Sequence, residues 1–408
     1  MKIAIFTLGT RGDVQPYAVL GQALQNRGHQ VTLCTAQNFA SLVLSYGLTF
    51  YPIKADFQAL LDSDEGKKMM KGNPWVIRRN LHTWVYPLIT ESLTVFYQLA
   101  QSHDRVLYHV KTLADCFADQ FPHKMIRASV LPITQPTSDF PNPALSGLPI
   151  PRWANRLSYK LGAWSMKMLA KPIRQFRIQA GLSPTYDLPS VRDLYGLSSH
   201  WISQPHDYPK QAIFSGFWFE STTQGTLSTE IQSFLAAGDP PLLITFGSMP
   251  FESQMSWIQG IQTLVQTLNL RVILLQGWGL ANWRAFDDNP QVLVVPEAPH
   301  ALLFPHVKAI IHHGGIGTTA ACLRAGKPFW ICPILYPIGD QLFWGKQGVQ
   351  KGVAVPPVPL KKLTLPTFLN RVTELWTNPT LYHNALLIQD QINQEDGLEG
   401  AIRIVESS

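Results

Sequence analysis

Charge is the scarcest commodity in this chain. Only 15% of its 408 residues are Asp, Glu, Lys or Arg, and 33 basic against 27 acidic side chains leave a formal net charge of +6. An excess that small, with no uninterrupted Lys/Arg tract, argues against a nucleic-acid partner. Disorder is excluded from the other side, because 46% of the residues are hydrophobic and can fill cores. Cysteine is also sparse. Cys34, Cys116, Cys322 and Cys332 show no disulfide-framework or zinc-site spacing, and three of them stand in apolar strand-like or helical surroundings, so buried reduced thiols and a cytoplasmic location are expected. Long apolar runs are missing too. The chain opens Met1-Lys2 and passes into a short strand, Ile3 to Leu8, which is too short for a signal-peptide core or a membrane span.

What the chain does have is alternation. Two places share one pattern, Ala4 to Thr10 and Leu242 to Ser248: an apolar strand running into Thr, an apolar residue, Gly, and then Thr or Ser. Helical periodicity follows the first over Pro16 to Asn26, then Gly28 and a strand Val31 to Thr35. After the second come a helix near Gln254 to Leu268 and strands Arg271 to Leu275, Val292 to Val295, Ala309 to Ile311 and Phe329 to Cys332. The expected fold class is therefore α/β, with two doubly wound, Rossmann-like domains facing across a cleft. Gly, Ser and Thr cluster over Ser221 to Ser228 and mark the linker, which divides the chain into residues 1–225 and 226–381. Ligands of open α/β sheets bind at the carboxyl ends of the strands, so the Thr10 to Asp13 loop should face the His312 to Thr319 loop.

The second of those loops carries the chemistry. Residues His312 to Pro328 follow a buried strand. Gly314, Gly315 and Gly317 permit a tight turn that presents backbone N–H groups, Thr318 and Thr319 add hydroxyls, and the helix that begins there turns its positive end towards a ligand. A diphosphate fits such a site. Gly315 to Ala320 also matches the Gly-x-Gly-x-x-Ala dinucleotide fingerprint, but strand Phe329 to Cys332 ends in Pro333 without the acidic ribose ligand that fingerprint needs. The bland reading of His313 is a satisfied imidazole at a helix entry.

Taken together, Gly9 to Pro16, Gly216-Phe217-Trp218, Phe246 to Met249, Gly277-Trp278-Gly279, Pro299-His300, Leu303-Phe304-Pro305, His312 to Pro328 and Gly339-Asp340-Gln341 with Phe343-Trp344 resemble the family-1 glycosyltransferases of GT-B fold, in particular the sterol and glycopeptide-antibiotic glucosyltransferase branch. The resemblance implies an inverting, metal-independent hexosyltransferase. It would move a sugar, glucose by expectation, from a UDP-sugar held by the second domain to a hydroxyl of a lipophilic acceptor such as a sterol or triterpenoid held by the first. It implies Asp13 as general base. It places Arg11, Gly12, Ser248, His312, Gly315, Gly317, Thr318 and Thr319 about the diphosphate, Trp278, Val295 and Ala298 along the base wall, and Asp340 and Gln341 on the sugar hydroxyls. It also implies a C-terminal helix, residues 382–408, crossing back to the first domain. No cofactor beyond the co-substrate is expected. Arg11 and the helix N-terminus should both favour the ionised form of Asp13. The run from Lys327 to Gly339 is about three residues longer than the resemblance leads one to expect.

The remaining features are less specific. Asp62-Ser63-Asp64-Glu65 imitates a metal-bridging Asp-x-Asp motif, but it stands among Gly66, Lys67 and Lys68 and follows no buried strand, so a solvated loop and no metal are expected. Trp75, Trp84, Tyr86 and Phe140 are candidate acceptor-pocket aromatics. From Phe140 to Tyr186 there is no acidic residue, and Arg152, Arg156, Lys160, Lys167, Lys171, Arg174 and Arg177 fall within an arc of about 120° at helical pitch. Pro172 should kink or split that helix. A peripheral contact with an anionic membrane through 152–177 and a solvated face packed on the first domain are equally compatible with the pattern. Two rivals to a transferase are a GT-B nucleotide-sugar epimerase and a catalytically silent nucleotide-sugar-binding protein.

Overall fold

A computed structural model describes residues 1–53, 85–187, 191–220, 225–247, 255–276 and 284–407. The first half forms a seven-stranded sheet from β1 (Lys2–Phe6), β2 (Gln30–Ala36), β3 (Thr49–Ile53), β4 (Arg105–Tyr108), β5 (Met125–Ser129), β6 (Arg192–Tyr195) and β7 (Ala212–Phe214). Their spatial order is 3-2-1-4-5-6-7, and every pairing is parallel. The second half forms a six-stranded sheet from β8 (Leu242–Thr245), β9 (Val272–Leu275), β10 (Val292–Val295), β11 (Ala309–His312), β12 (Phe329–Ile331) and β13 (Ala354–Val355), in the order 10-9-8-11-12-13, again parallel throughout. Central strands such as β1, β8, β9 and β11 are apolar and buried on both faces, as a parallel sheet covered by helices on either side requires.

This is the doubly wound pair expected from the alternation. In each sheet the strand order reverses beside the first strand, at β1/β4 and at β8/β11, and such a switch point opens a crevice at the carboxyl ends of the strands. The two crevices face each other. Helix Arg11–Asn26, which follows β1, contacts helix Ile316–Arg324, which follows β11, and Ile316 packs against the core cluster holding Val14 and Tyr17.

Further contacts among the described residues join the halves. Phe140, a candidate acceptor-pocket aromatic, is buried and its ring lies 5.2 Å from that of Phe343, so it serves as packing between domains. Trp201 meets Phe329 at 6.3 Å. The C-terminal segment divides. Helix Pro379–Asn393 packs on helix Ile316–Arg324 of the second half, whereas helix Gly397–Glu406 buries Leu398, Ala401, Ile402 and Val405 in the first-half core. Arg27 reinforces that docking through Glu399 at 3.2 Å and Glu406 at 3.5 Å. The crossing thus lies at the turn before Gly397, later than residue 382.

The basic stretch is also divided: helix Asn155–Met166, a 3₁₀ turn Lys167–Leu169, then helix Ala170–Gln179. The break precedes Pro172, which sits in the first turn of the second helix where its missing N–H is harmless. Arg177 departs from the expected basic arc; it is buried and pairs with Asp119 at 3.0 Å. Among the described residues no helix is long and apolar enough to cross a membrane, and all four cysteines are buried and unbonded.

Candidate active site at the facing switch points

On the first-half side, the site starts at a glycine. Gly9 has φ of +136°, and a Cβ there would collide with the Asp13 carboxylate; only glycine lets the chain fold so that the side chain turns back over the loop. Asp13 is the third residue of its helix and forms a capping box with Thr10. Its Oδ2 accepts the Thr10 N–H at 2.8 Å and the Thr10 hydroxyl at 3.2 Å. Its Oδ1 accepts a hydrogen bond from Lys111 Nζ at 2.6 Å. Burial pushes this carboxyl up, but Lys111, the neighbouring His109 and the Thr10 amide outweigh it and leave Asp13 below its ordinary value, ionised at neutral pH.

The expected influence of Arg11 needs correction. Arg11 turns away from Asp13 and donates to Gln15 Oε1 at 3.1 Å; its charge is felt instead by His300 of the second half. The cation on Asp13 is Lys111, in the 3₁₀ turn Val110–Thr112 directly after β4. Neither Lys111 nor His109 was singled out in the sequence, because Arg105–Tyr108 is a four-residue strand with no strong flanking signal. The signal that could have found them is topological: residues after β4 share the switch point with residues after β1. Asp115 and Asp119 lie close in sequence but are committed to Arg127 and Arg177 at 2.7 and 3.0 Å.

On the second-half side, the two histidines behave differently. His312 ends β11 wholly buried, 5.4 Å from the Phe329 ring, and its Nδ1 accepts the Gly314 N–H at 3.1 Å. His313 is only partly buried and sits against the loop glycines: a Cβ on Gly315 would come within 2.7 Å of its Nε2, and one on Gly247 within 3.3 Å of its Cε1. The imidazole at the mouth of the loop is therefore His313, while His312 braces the turn from beneath. Burial holds both neutral, His313 down to about 4 and His312 lower still.

The glycines divide in the same way. Gly314 has φ of +98° and a Cβ there would lie 2.7 Å from Ile331, so the turn itself demands it. Gly317 is exposed, in the first turn of its helix, and a Cβ there would meet nothing within 4 Å among the described residues. Glycine costs a helix interior about 1 kcal/mol relative to alanine, and no described neighbour calls for it. The space it leaves is at the helix N-terminus, where backbone N–H groups lack intrahelical partners. Thr318 is half-buried beside it. Thr319, expected among the diphosphate ligands, is fully buried and donates to the Gly315 carbonyl at 3.0 Å; it supports the turn from within.

Asp340 and Gln341 open helix Gln341–Gln350. Asp340 accepts from Trp344 Nε1 at 2.8 Å. Burial raises its carboxyl above the usual value, and it feels both Lys111 and Asp13 across the cleft. Gln341 is buried, and its carbonyl oxygen holds the preceding loop by accepting the Ile334 and Leu335 N–H groups at 2.7 and 2.9 Å. That long loop leans on the first half, where the Gly339 N–H donates to the Ala144 carbonyl at 2.8 Å, and the helix after it does so through Lys346 Nζ, which donates to the Ser146 carbonyl at 2.8 Å.

The other expected site residues fall as follows. Gly12 is exposed beside Asp13. The Val295 side chain is core and its carbonyl accepts Gln276 N–H at 2.9 Å, so it cannot also line a base pocket with its side chain; Ala298 is half-buried. Tyr86 donates to the Met168 carbonyl at 2.7 Å and lines a surface groove with Lys171 and Gln175 that shares no lining residue with the Asp13 loop. Ser248, Trp278, Trp75 and Trp84, together with the Asp62–Asp64 motif, lie outside the described residues.

Comparison with known proteins agrees with this fold. Residues 3–108 match the glycosyltransferase family 28 N-terminal domain. A sterol 3-beta-glucosyltransferase of Arabidopsis thaliana is 31% identical over 432 residues, covering 99% of this chain, which spans 65% of that relative's length. The O-mycaminosyltylonolide 6-deoxyallosyltransferase of Streptomyces fradiae is 28% identical over 426 residues, covering 100% of this chain and 97% of the relative. The crystal structure of the glycosyltransferase VinC in complex with dTDP superposes with a TM-score of 0.70 at 17% identity, covering the whole of both chains. The chain thus has the GT-B glycosyltransferase fold, carries the family 28 N-terminal domain, and along its whole length is a relative of the sterol 3-beta-glucosyltransferases and the macrolide glycosyltransferases.

Proposed function

We propose that this protein is an inverting glycosyltransferase that moves a sugar, glucose in the first instance, from a UDP-sugar to a hydroxyl of a lipophilic acceptor, without a metal. The observation that carries the reading is the pairing across the cleft of an ionised carboxylate, Asp13, with an open helix N-terminus at Gly317, flanked by His313 and Asp340. Asp13 Oδ1 takes the acceptor's hydroxyl proton while that oxygen bonds to the anomeric carbon. The bond from that carbon to the diphosphate breaks, and its electron pair leaves with the phosphate. General-base assistance of this kind contributes roughly 10²–10⁴-fold. The developing charge on the diphosphate meets the amides at the start of helix Ile316–Arg324, the Thr318 hydroxyl and the neutral His313 ring, fixed dipoles that need no reorganisation. His313 takes the place first given to His312 because it stands at the mouth of the loop. Asp340 is placed to accept from sugar hydroxyls.

The acceptor's apolar character is supported by relatives acting on sterols and on a macrolide, and by the outer surface. Trp153, Leu157 and Leu161 are 80%, 48% and 59% exposed and lie one turn apart beside exposed Arg152, Arg156 and Lys160. An apolar stripe rimmed by cations suits the surface of an anionic bilayer, where such an acceptor resides.

The test crosses UDP-glucose and dTDP-glucose with cholesterol, a triterpenoid alcohol and a macrolide aglycone, read by mass spectrometry. The expected result is one hexose added to a lipophilic alcohol, with inverted anomeric configuration by NMR and no loss on chelation. Return of an isomerised donor with no acceptor product would establish an epimerase instead, and binding without turnover a silent receptor.

A further inference from the structure

Lys111 stands out as an exposed cation laid over a buried carboxylate of the candidate site. Its side chain is 47% exposed, against 11% for the Asp13 side chain it covers. Among the described residues its one hydrogen bond is the 2.6 Å contact to Asp13 Oδ1, so two of its three N–H donors have no partner there. That oxygen is the one a general base must use, since Oδ2 is held by Thr10. Across the cleft, Asp340 also feels the Lys111 charge. A half-exposed ammonium therefore covers the Asp13 carboxylate, and its charge reaches the Asp340 carboxylate of the other half.

We propose that Lys111 is a positioning residue for transfer: it holds the Asp13 carboxylate ionised and aimed into the cleft, and gives up its place at Oδ1 to the acceptor hydroxyl. This rests on the reading of Asp13 as base. The other groups facing Asp13 cannot substitute for it. Thr10 and Tyr17 are uncharged, and Tyr17 is buried with its hydroxyl donated to the Ala128 carbonyl at 2.7 Å. His109 is wholly buried, which lowers it to about 4 and keeps it neutral. Arg11 is turned to Gln15, and Asp340 bears the same charge as Asp13. Without Lys111, the largest influence opposing burial is gone, His109 and the Thr10 amide alone remain against it, and the proton affinity of the carboxyl rises.

The experiment compares wild type, Lys111→Met, Lys111→Arg and Asp13→Asn. The first readout is a ¹³C NMR titration of protein labelled at aspartate carboxyls, with Asp13→Asn assigning the resonance. The second is the pH profile of glucose transfer from UDP-glucose to cholesterol. In Lys111→Met, the Asp13 titration and the acid limb of kcat/KM should both move up by a pH unit or more, with activity above the new limb within tenfold of wild type; Lys111→Arg should keep the wild-type limb. If Lys111→Met titrates as wild type does, or loses activity equally at every pH, the inference is overturned. If instead Asp13→Asn keeps full turnover, it is the assignment of the base that fails. The NMR readout decides the electrostatic part without any acceptor, and Lys111→Gln replaces Lys111→Met should the latter fold poorly.

Discussion

The two halves repeat one topology but build their parts of the site from different materials. In the second half the site is mostly backbone: a glycine turn, a helix N-terminus, and side chains such as His312 and Thr319 that brace it from beneath. In the first half it is made of side chains from separate loops, Asp13 after β1 with His109 and Lys111 after β4. Backbone sites depend on local sequence and leave a contiguous trace. Side-chain sites depend on topology, and their members are scattered along the chain.

That contrast can be broken at four points. The largest effect belongs to the carboxylate. Asp13→Asn should lower glucose transfer by about 10²–10⁴-fold, while the Kd for UDP measured by calorimetry stays within about twofold, because the proposed nucleotide site lies in the other half; a lost UDP site would merge the two functions. Next come the glycines. Gly314→Ala forces a φ of +98° on an L-residue and drives a Cβ to 2.7 Å from Ile331, so thermal unfolding should show a loss of about 1–3 kcal/mol. A Cβ at Gly317 meets no described residue within 4 Å, so in Gly317→Val folding should be nearly unchanged while UDP binding weakens tenfold or more. Equal effects of the two changes on stability would remove the argument that Gly317 leaves room for a ligand.

Smaller still is the dependence of stability on pH. His109, His300 and His313 are each lowered to about 4 by burial. The unfolded chain binds their protons from about pH 6.5 downwards, so stability should fall as pH drops from about 6.5 to 4. Asp13 acts in the same sense but in a lower window: its depressed value contributes stability above about pH 3.8, lost on further acidification. Differential scanning calorimetry of His109→Gln should show a flatter Tm profile between pH 6.5 and 4 than wild type. The smallest effect on catalysis is expected from Trp153→Ala with Leu157→Ser, which should leave turnover of a detergent-solubilised acceptor intact and abolish co-sedimentation with phosphatidylserine vesicles.

Much of this was legible in advance, and the reasons are specific. The fold followed from short apolar strands alternating with helices, since a strand buried on both faces must be apolar throughout. The Gly314–Thr318 loop was legible because its glycines and hydroxyls are consecutive. The choice between His312 and His313 was not, because adjacent residues leaving a strand point to opposite sides and the sequence does not say which side is core. Lys111 was invisible because a lone lysine after a four-residue strand resembles any surface cation. Phe140 and Tyr86 were misleading for a related reason: an aromatic side chain that joins two domains or pins a turn has the same sequence appearance as one lining a pocket. The misassigned helix crossing has another origin, in that the helix over 379–393 and the one over 397–406 are separated only by a short Gln394-Glu395-Asp396 turn.

The central claim is that a diphosphate binds at the start of helix Ile316–Arg324 in reach of the Asp13 side of the cleft. A crystal structure with UDP tests it most directly. The account predicts phosphate oxygens within hydrogen-bonding distance of backbone N–H groups between Gly315 and Thr318, beside His313 and facing Asp13. A UDP molecule bound with its phosphates away from that turn, or on the far side of either sheet, would contradict it.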